Sequence, residues 1–117
     1  MPDIGDVIEL IVDIPERNVR VGTQGTIVLK HDNEAYEVEF VNETGETVDF
    51  FALRPEQFVV IWRAETGQAV PVGEQAATII AHLPDDAAQE VLDFARFLSF
   101  RGQKPGLKGQ RLPPTMP

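Results

Sequence analysis

Glu37 and Glu39 alternate with Tyr36, Val38 and Phe40 along Ala35–Val41. Both carboxylates therefore share one face of a predicted strand, ~7 Å apart by two strand rises. A carboxylate pair at that distance suits a divalent cation or glycoside hydrolysis, provided that neighbouring strands add donors and a cleft. Asp49, in the predicted strand Thr47–Leu53, is such a donor if that strand turns it outward. Nineteen of the 117 residues are acidic, so one pair carries little specificity. A solvated acidic face of Glu37, Glu39 and Asp49 is the expectation.

Other chemistries find fewer residues. The chain has no cysteine, which excludes disulfides, thiol catalysis and Cys-based metal sites. His31 and His82 are far apart in sequence; the first reads as a turn residue and the second as a helix-end residue beside the negative end of the dipole. Ser99 is the only serine, and no histidine lies near it in sequence to activate it. Gly22-Thr-Gln-Gly25 lacks the Lys-Ser/Thr and the strand-to-helix context of a phosphate loop; it reads as a turn. Trp62 follows the last predicted strand, where it can close one end of a barrel or face a partner. Tyr36 is the only tyrosine, so an aromatic cage for a cation is not expected. The chain is read as a non-enzyme without metal or cofactor.

The elements that would carry these residues are short strands. Asp6–Val12, Thr26–Lys30, Ala35–Val41, Thr47–Leu53 and Phe58–Ile61 are β-prone runs separated by turn signals at Gly22–Gly25, Asp32-Asn33, Asn42–Gly45 and Arg54-Pro55. Short connections make them antiparallel. Closure would remove exposed edges, so residues 1–62 are predicted to form a small five-stranded SH3-like antiparallel barrel. Asp13–Thr23 is its long first connection.

Beyond Trp62 the period changes. Residues 63–73, with Gly67, Pro71 and Gly73, read as a linker. Ala76, Ile79, Ile80 and Leu83 then recur at helical spacing. Pro84 interrupts, and Asp85–Arg101 resumes as a second helix with Asp85 and Asp86 in its first turn and Gly102 to stop it. Residues 74–102 are thus predicted to be a helical hairpin, which makes the fold class mainly β plus α. At 100° per residue, Val91, Phe94, Ala95 and Leu98 form one stripe of the second helix. Leu92 and Phe97 fall on its shoulders and Phe100 behind it. A helix apolar on several sides is normally buried on several sides. Leu92, Phe97, Phe100 and Trp62 are therefore candidate interface residues, and a homodimer through the second helix is one expectation. Residues 103–117, with four prolines, two glycines and three basic residues, read as a flexible tail.

Charge is distributed unevenly. Residues 1–60 hold 13 acidic and 4 basic side chains. The net charge of the whole chain is -9, which argues against nucleic acid as a partner. No apolar run reaches the ~18–20 residues of a membrane span. The opening Met-Pro-Asp-Ile-Gly-Asp has no positive n-region, so a cytoplasmic protein with no membrane partner is expected.

Two stretches resemble known families. Asp6-Val-Ile-Glu-Leu, Asp13-Ile-Pro-Glu, Gly22-Thr-Gln-Gly-Thr-Ile-Val and Glu34-Ala-Tyr-Glu-Val-Glu-Phe resemble, over residues 4–60, an uncharacterised bacterial family common in cyanobacteria. That resemblance implies an SH3-like barrel. Arg20-Val21-Gly22 is similar to the family's usual Lys-Arg-Gly, with Val21 in place of the second basic residue. Over residues 74–102, Leu83-Pro-Asp-Asp, Glu90-Val-Leu-Asp-Phe and the Phe97-Leu98 pair resemble a family of short helical bacterial proteins, which implies an antitoxin-like role.

Charge and resemblance together point to a protein-interaction module, an antitoxin-like or immunity-like partner of a basic nuclease-type protein. Its acidic half would steer association. The alternative is an accessory or scaffold subunit of a larger enzyme complex, by analogy with other SH3-like barrels.

Overall fold

Six strands form one antiparallel sheet in the computed structural model, which describes residues 1–102. The flexible tail expected at 103–117 lies outside the described residues. The strands are β1 (Val7–Leu10), β2 (Gln24–Lys30), β3 (Tyr36–Val41), β4 (Thr47–Leu53), β5 (Phe58–Arg63) and β6 (Gln68–Ala69). Their order is β4-β3-β2-β1-β5-β6. β4 and β6 are the two edges and do not pair, so the sheet is not closed. The expected closed barrel of five strands is corrected on both counts. β6 arises inside the predicted linker because Gly67, at φ 66°, reverses the chain and donates its N–H to the Arg63 carbonyl at 2.9 Å.

One face of the sheet carries the core. Ile8, Leu10, Ile27, Tyr36, Val38, Phe40, Phe51, Leu53 and Phe58 are all buried, joined by Ile14 from the long first connection. Phe40 and Phe51 stack with ring centroids 5.0 Å apart. In β3 the strict alternation is observed as the period of two requires: Tyr36, Val38 and Phe40 point inward.

The first connection is an ordered loop. Asp13 Oδ1 accepts the Val21 N–H at 2.8 Å, Ile14 bridges to Val19, and Asn18 turns the chain at φ 58° after a 3-10 turn at Pro15–Arg17. Gly22 has the positive φ, 93°, that the turn reading requires. Gly25 has another reason to be glycine. It lies buried in β2, and a Cβ there would stand 2.6 Å from Val38 Cγ1 and 2.9 Å from the Glu39 carbonyl oxygen. In the β2–β3 turn the positive φ falls on Glu34, at 63°, and not on Asp32 or Asn33.

The chain divides into two compact units, Met1–His82 and a second beginning at Leu83. Helix α1 (Val72–Ala81) belongs with the sheet and packs on β5. Gln75 Nε2 donates to the Val70 carbonyl at 2.9 Å, and Arg63 pairs with Glu74. Helix α2 (Asp85–Arg101) lies in the second unit, so the two helices read as one hairpin fall in different units. Pro84 precedes α2 as its N-cap residue, in extended backbone.

Candidate functional site

Register places two of the sequence-selected residues, Glu39 and Trp62, in one row on the outer face of the sheet. Phe50 of β4 is opposite Glu39 of β3, Glu39 opposite Thr26 of β2, Thr26 opposite Val7 of β1, Val7 opposite Trp62 of β5, and Trp62 opposite Ala69 of β6. Residues directly opposite in antiparallel strands share a face, so this row crosses all six strands. Trp62 therefore does not follow the last strand or close the end of a barrel. It sits within β5 and is 38% exposed. A register shift between Val7 and Ile8 leaves Ile61 unmatched and sets which face Trp62 takes.

Glu37 and Glu39 lie on that outer face, but both are half-buried rather than fully solvated. Glu37 Oε1 meets His31 Nε2 at 2.9 Å, and Glu39 Oε2 accepts the Thr47 hydroxyl. Asp49 is not their neighbour. It pairs with Phe40 in register and precedes Phe51 and Leu53 by two and four residues, which places it with them on the opposite, core-side face of β4. There Asp49 Oδ1 accepts from Arg17 at 3.3 Å and from the Phe50 N–H at 2.8 Å. The outward position was expected because β4 carries apolar residues on both faces, so its sequence pattern does not choose. The three carboxylates do not form one acidic site, and among the described residues no group of three His, Asp or Glu side chains could hold a metal ion.

The outer face instead sets apolar side chains around the two glutamates of β3. Phe50 is 59% exposed and, with Val28, Thr47 and Glu39, lines a shallow concavity of about 450 Å³. Val28 and Leu29 are both exposed because the β2–β3 register shifts between Ile27 and Leu29. Phe50 is the residue that sequence reasoning missed. Its signal was present: two adjacent phenylalanines in a strand cannot both enter one core.

Asp6 was also missed. It is the buried charged residue of the first unit, and its two carboxylate oxygens accept the N–H groups of Asp3 and Ala64, each at 2.9 Å. Both acceptors point into backbone, so this carboxylate ties the N-terminus to the end of β5.

In the second unit, taken by itself, α2 exposes Leu92, Phe94, Phe97 and Phe100. Phe94 and Phe97 stack at 6.1 Å, and the Arg101 guanidinium lies over Phe97 at 6.0 Å. No helix among the described residues is long and apolar enough to cross a membrane.

These features define an α+β protein whose antiparallel sheet presents an aromatic outer face. Residues 4–60 match the model of a family described as a domain of unknown function, DUF4926. The match spans β1 to the middle of β5 and ends before α1. No curated protein and no solved structure matches the chain.

Proposed function

We propose that this chain is a protein-interaction module that does no chemistry of its own, with the DUF4926-matching segment forming most of an open, SH3-like sheet. The observation that carries the reading is Phe50, which stands 59% exposed beside Val28 on the outer face of the sheet. Leaving a phenylalanine in water forgoes the ~1.5–3 kcal/mol that burial would return, and aromatic residues at the centre of such patches usually dominate interface energy. Exposed Glu43 and Glu46 in the β3–β4 turn, and the acidic excess of residues 1–60, complement a basic protein. A basic nuclease-type toxin is the partner class that this charge and the resemblance of residues 74–102 to short helical antitoxin-like proteins favour. Leu92, Phe97 and Phe100 supply a second apolar surface, for that partner or for a second copy of the chain.

Co-expression with the products of adjacent genes tests the proposal. A basic partner should co-purify, and raising the salt should slow its association. Phe50→Ser should weaken the complex by about tenfold or more, while the free protein keeps its stability within about 0.5 kcal/mol. Recovery of a metabolic enzyme in place of a basic protein would select the accessory-subunit role. Binding that ignores both Phe50→Ser and Phe97→Ser/Phe100→Ser would overturn the assignment of these surfaces.

A further inference from the structure

Only four basic residues occur among the first sixty, and two of them, Arg17 and Arg20, line one cleft. The cleft has a volume of about 630 Å³, within the range of small-molecule sites. The first connection supplies one wall through Arg17, Val19, Arg20 and Thr23; β3 and β4 supply the other through Val41, Val48 and Asp49, with Phe40 below.

The polar groups of this cleft are unevenly engaged. The Arg17 guanidinium lies 4.9 Å from the centre of the Phe51 ring, which fixes its orientation, and it already holds one carboxylate, that of Asp49 at 3.3 Å. That contact is long for a charge-assisted bond, and the same Asp49 oxygen is shared with the Phe50 N–H. Arg20 is held by its backbone, whose carbonyl accepts both the Thr23 N–H and the Thr23 hydroxyl at 3.1 and 2.7 Å. Among the described residues its guanidinium pairs with no carboxylate.

We propose that the cleft between the first connection and the β3–β4 end binds a small monocarboxylate with an apolar body, the carboxylate on Arg20 and Arg17 and the body against Val41 and Val48. The carboxylate is the chemistry that Arg17 takes within the protein itself. Planar guanidinium groups bind it through paired N–H donors. The valines reward an apolar body with the area they bury. The acidic excess of the surrounding sixty residues opposes nucleic acids and polyphosphates, whose further charges would face like charge. One negative charge placed at two arginines meets less of that repulsion, of which Asp49 in the same cleft is the nearest source.

Benzoate, its neutral isostere benzamide, acetate and inorganic phosphate separate the terms when titrated into the full chain by amide-resolved NMR. Benzoate should move the Arg20, Thr23, Val41 and Val48 amides saturably. Benzamide should lose the charge and acetate the apolar contact, so each should bind at least about tenfold more weakly. Arg20→Gln should weaken benzoate by about tenfold, and Asp49→Asn should tighten it severalfold by releasing Arg17 from its internal carboxylate. Equal binding of benzoate and benzamide would overturn the proposal, as would phosphate binding at least as tightly as benzoate. Absence of saturation would do so too, as would an Arg20→Gln variant that keeps the wild-type spectrum and affinity.

Discussion

The rings of Tyr36 and Phe58 meet edge to face with centroids 5.7 Å apart, although two strands separate them in the sheet. Tyr36 begins β3 and Phe58 begins β5, with β2 and β1 between. A flat sheet would hold these backbones roughly 14 Å apart at the usual strand spacing. The contact shows that the sheet curls enough to bring side chains of β3 and β5 together across its apolar face. Within the first unit that curl substitutes for a covering layer, and it explains how so few strands bury a core.

Phe40 is 2% exposed and stacks on Phe51 inside this curl. Phe40→Ala should cost about 3–5 kcal/mol, comparable with the whole stability of a small domain. Urea unfolding followed by Trp62 fluorescence measures it. An unshifted midpoint would mean that the β3 ring contributes nothing to the core.

Two glycines should respond in opposite directions. Gly25→Ala forces a methyl against Val38 and against the backbone oxygen of Glu39, so a loss of about 1–3 kcal/mol is expected. Gly73 lies in α1 with nothing within 4 Å of the added carbon, and Gly73→Ala should gain about 0.5 kcal/mol by restricting the unfolded chain. Thermal unfolding of both variants against the parent checks the signs.

Asp6→Ala removes the acceptor from two N–H groups, those of Asp3 and Ala64. A loss of about 1–3 kcal/mol should follow, because one carboxylate serves both donors in a buried place. Hydrogen exchange gives the local readout: the Ala64 amide should lose protection in the variant more than the amides of β3 do.

Asp3 provides a pH dependence with a definite sign. The Ile4 N–H at 2.8 Å and then the Lys30 ammonium at 3.1 Å hold its carboxyl below the ordinary aspartate value. A depressed value in the folded state means that the contribution is present above the unfolded value and fades as pH falls through the folded one. The stability difference between the parent and Asp3→Asn should therefore be largest near neutrality and shrink on acidification. In a carboxyl titration by NMR, Lys30→Gln should move the Asp3 midpoint upward; no movement would remove Lys30 as a cause.

The strands and helices were legible because their periods are local. Residues 36–40 alternate without ambiguity, and β3 is observed as the alternation predicts. The helical spacing after Gly73 and the Pro84 break likewise mark α1 and α2. β6 was illegible: two residues, Gln68 and Ala69, carry no period, and only pairing with Trp62 and Arg63 makes them a strand.

The candidate site was readable in its residue types and not in their placement. The sequence by itself determined that β4 and β5 are strands and that aromatic residues abound in them. It did not decide their faces, because Val48, Phe50 and Ala52 alternate with Asp49, Phe51 and Leu53, and Val59 to Trp62 is apolar throughout. Either face of such a strand is chemically acceptable as the inner one. Tertiary structure makes the choice through the ladder register: pairing with β3 turns Phe51 into the core and Phe50 out, and the shift at β1 turns Trp62 outward. The physical reason is the two-residue period of a strand, in which a displacement by one residue exchanges every side chain between core and solvent.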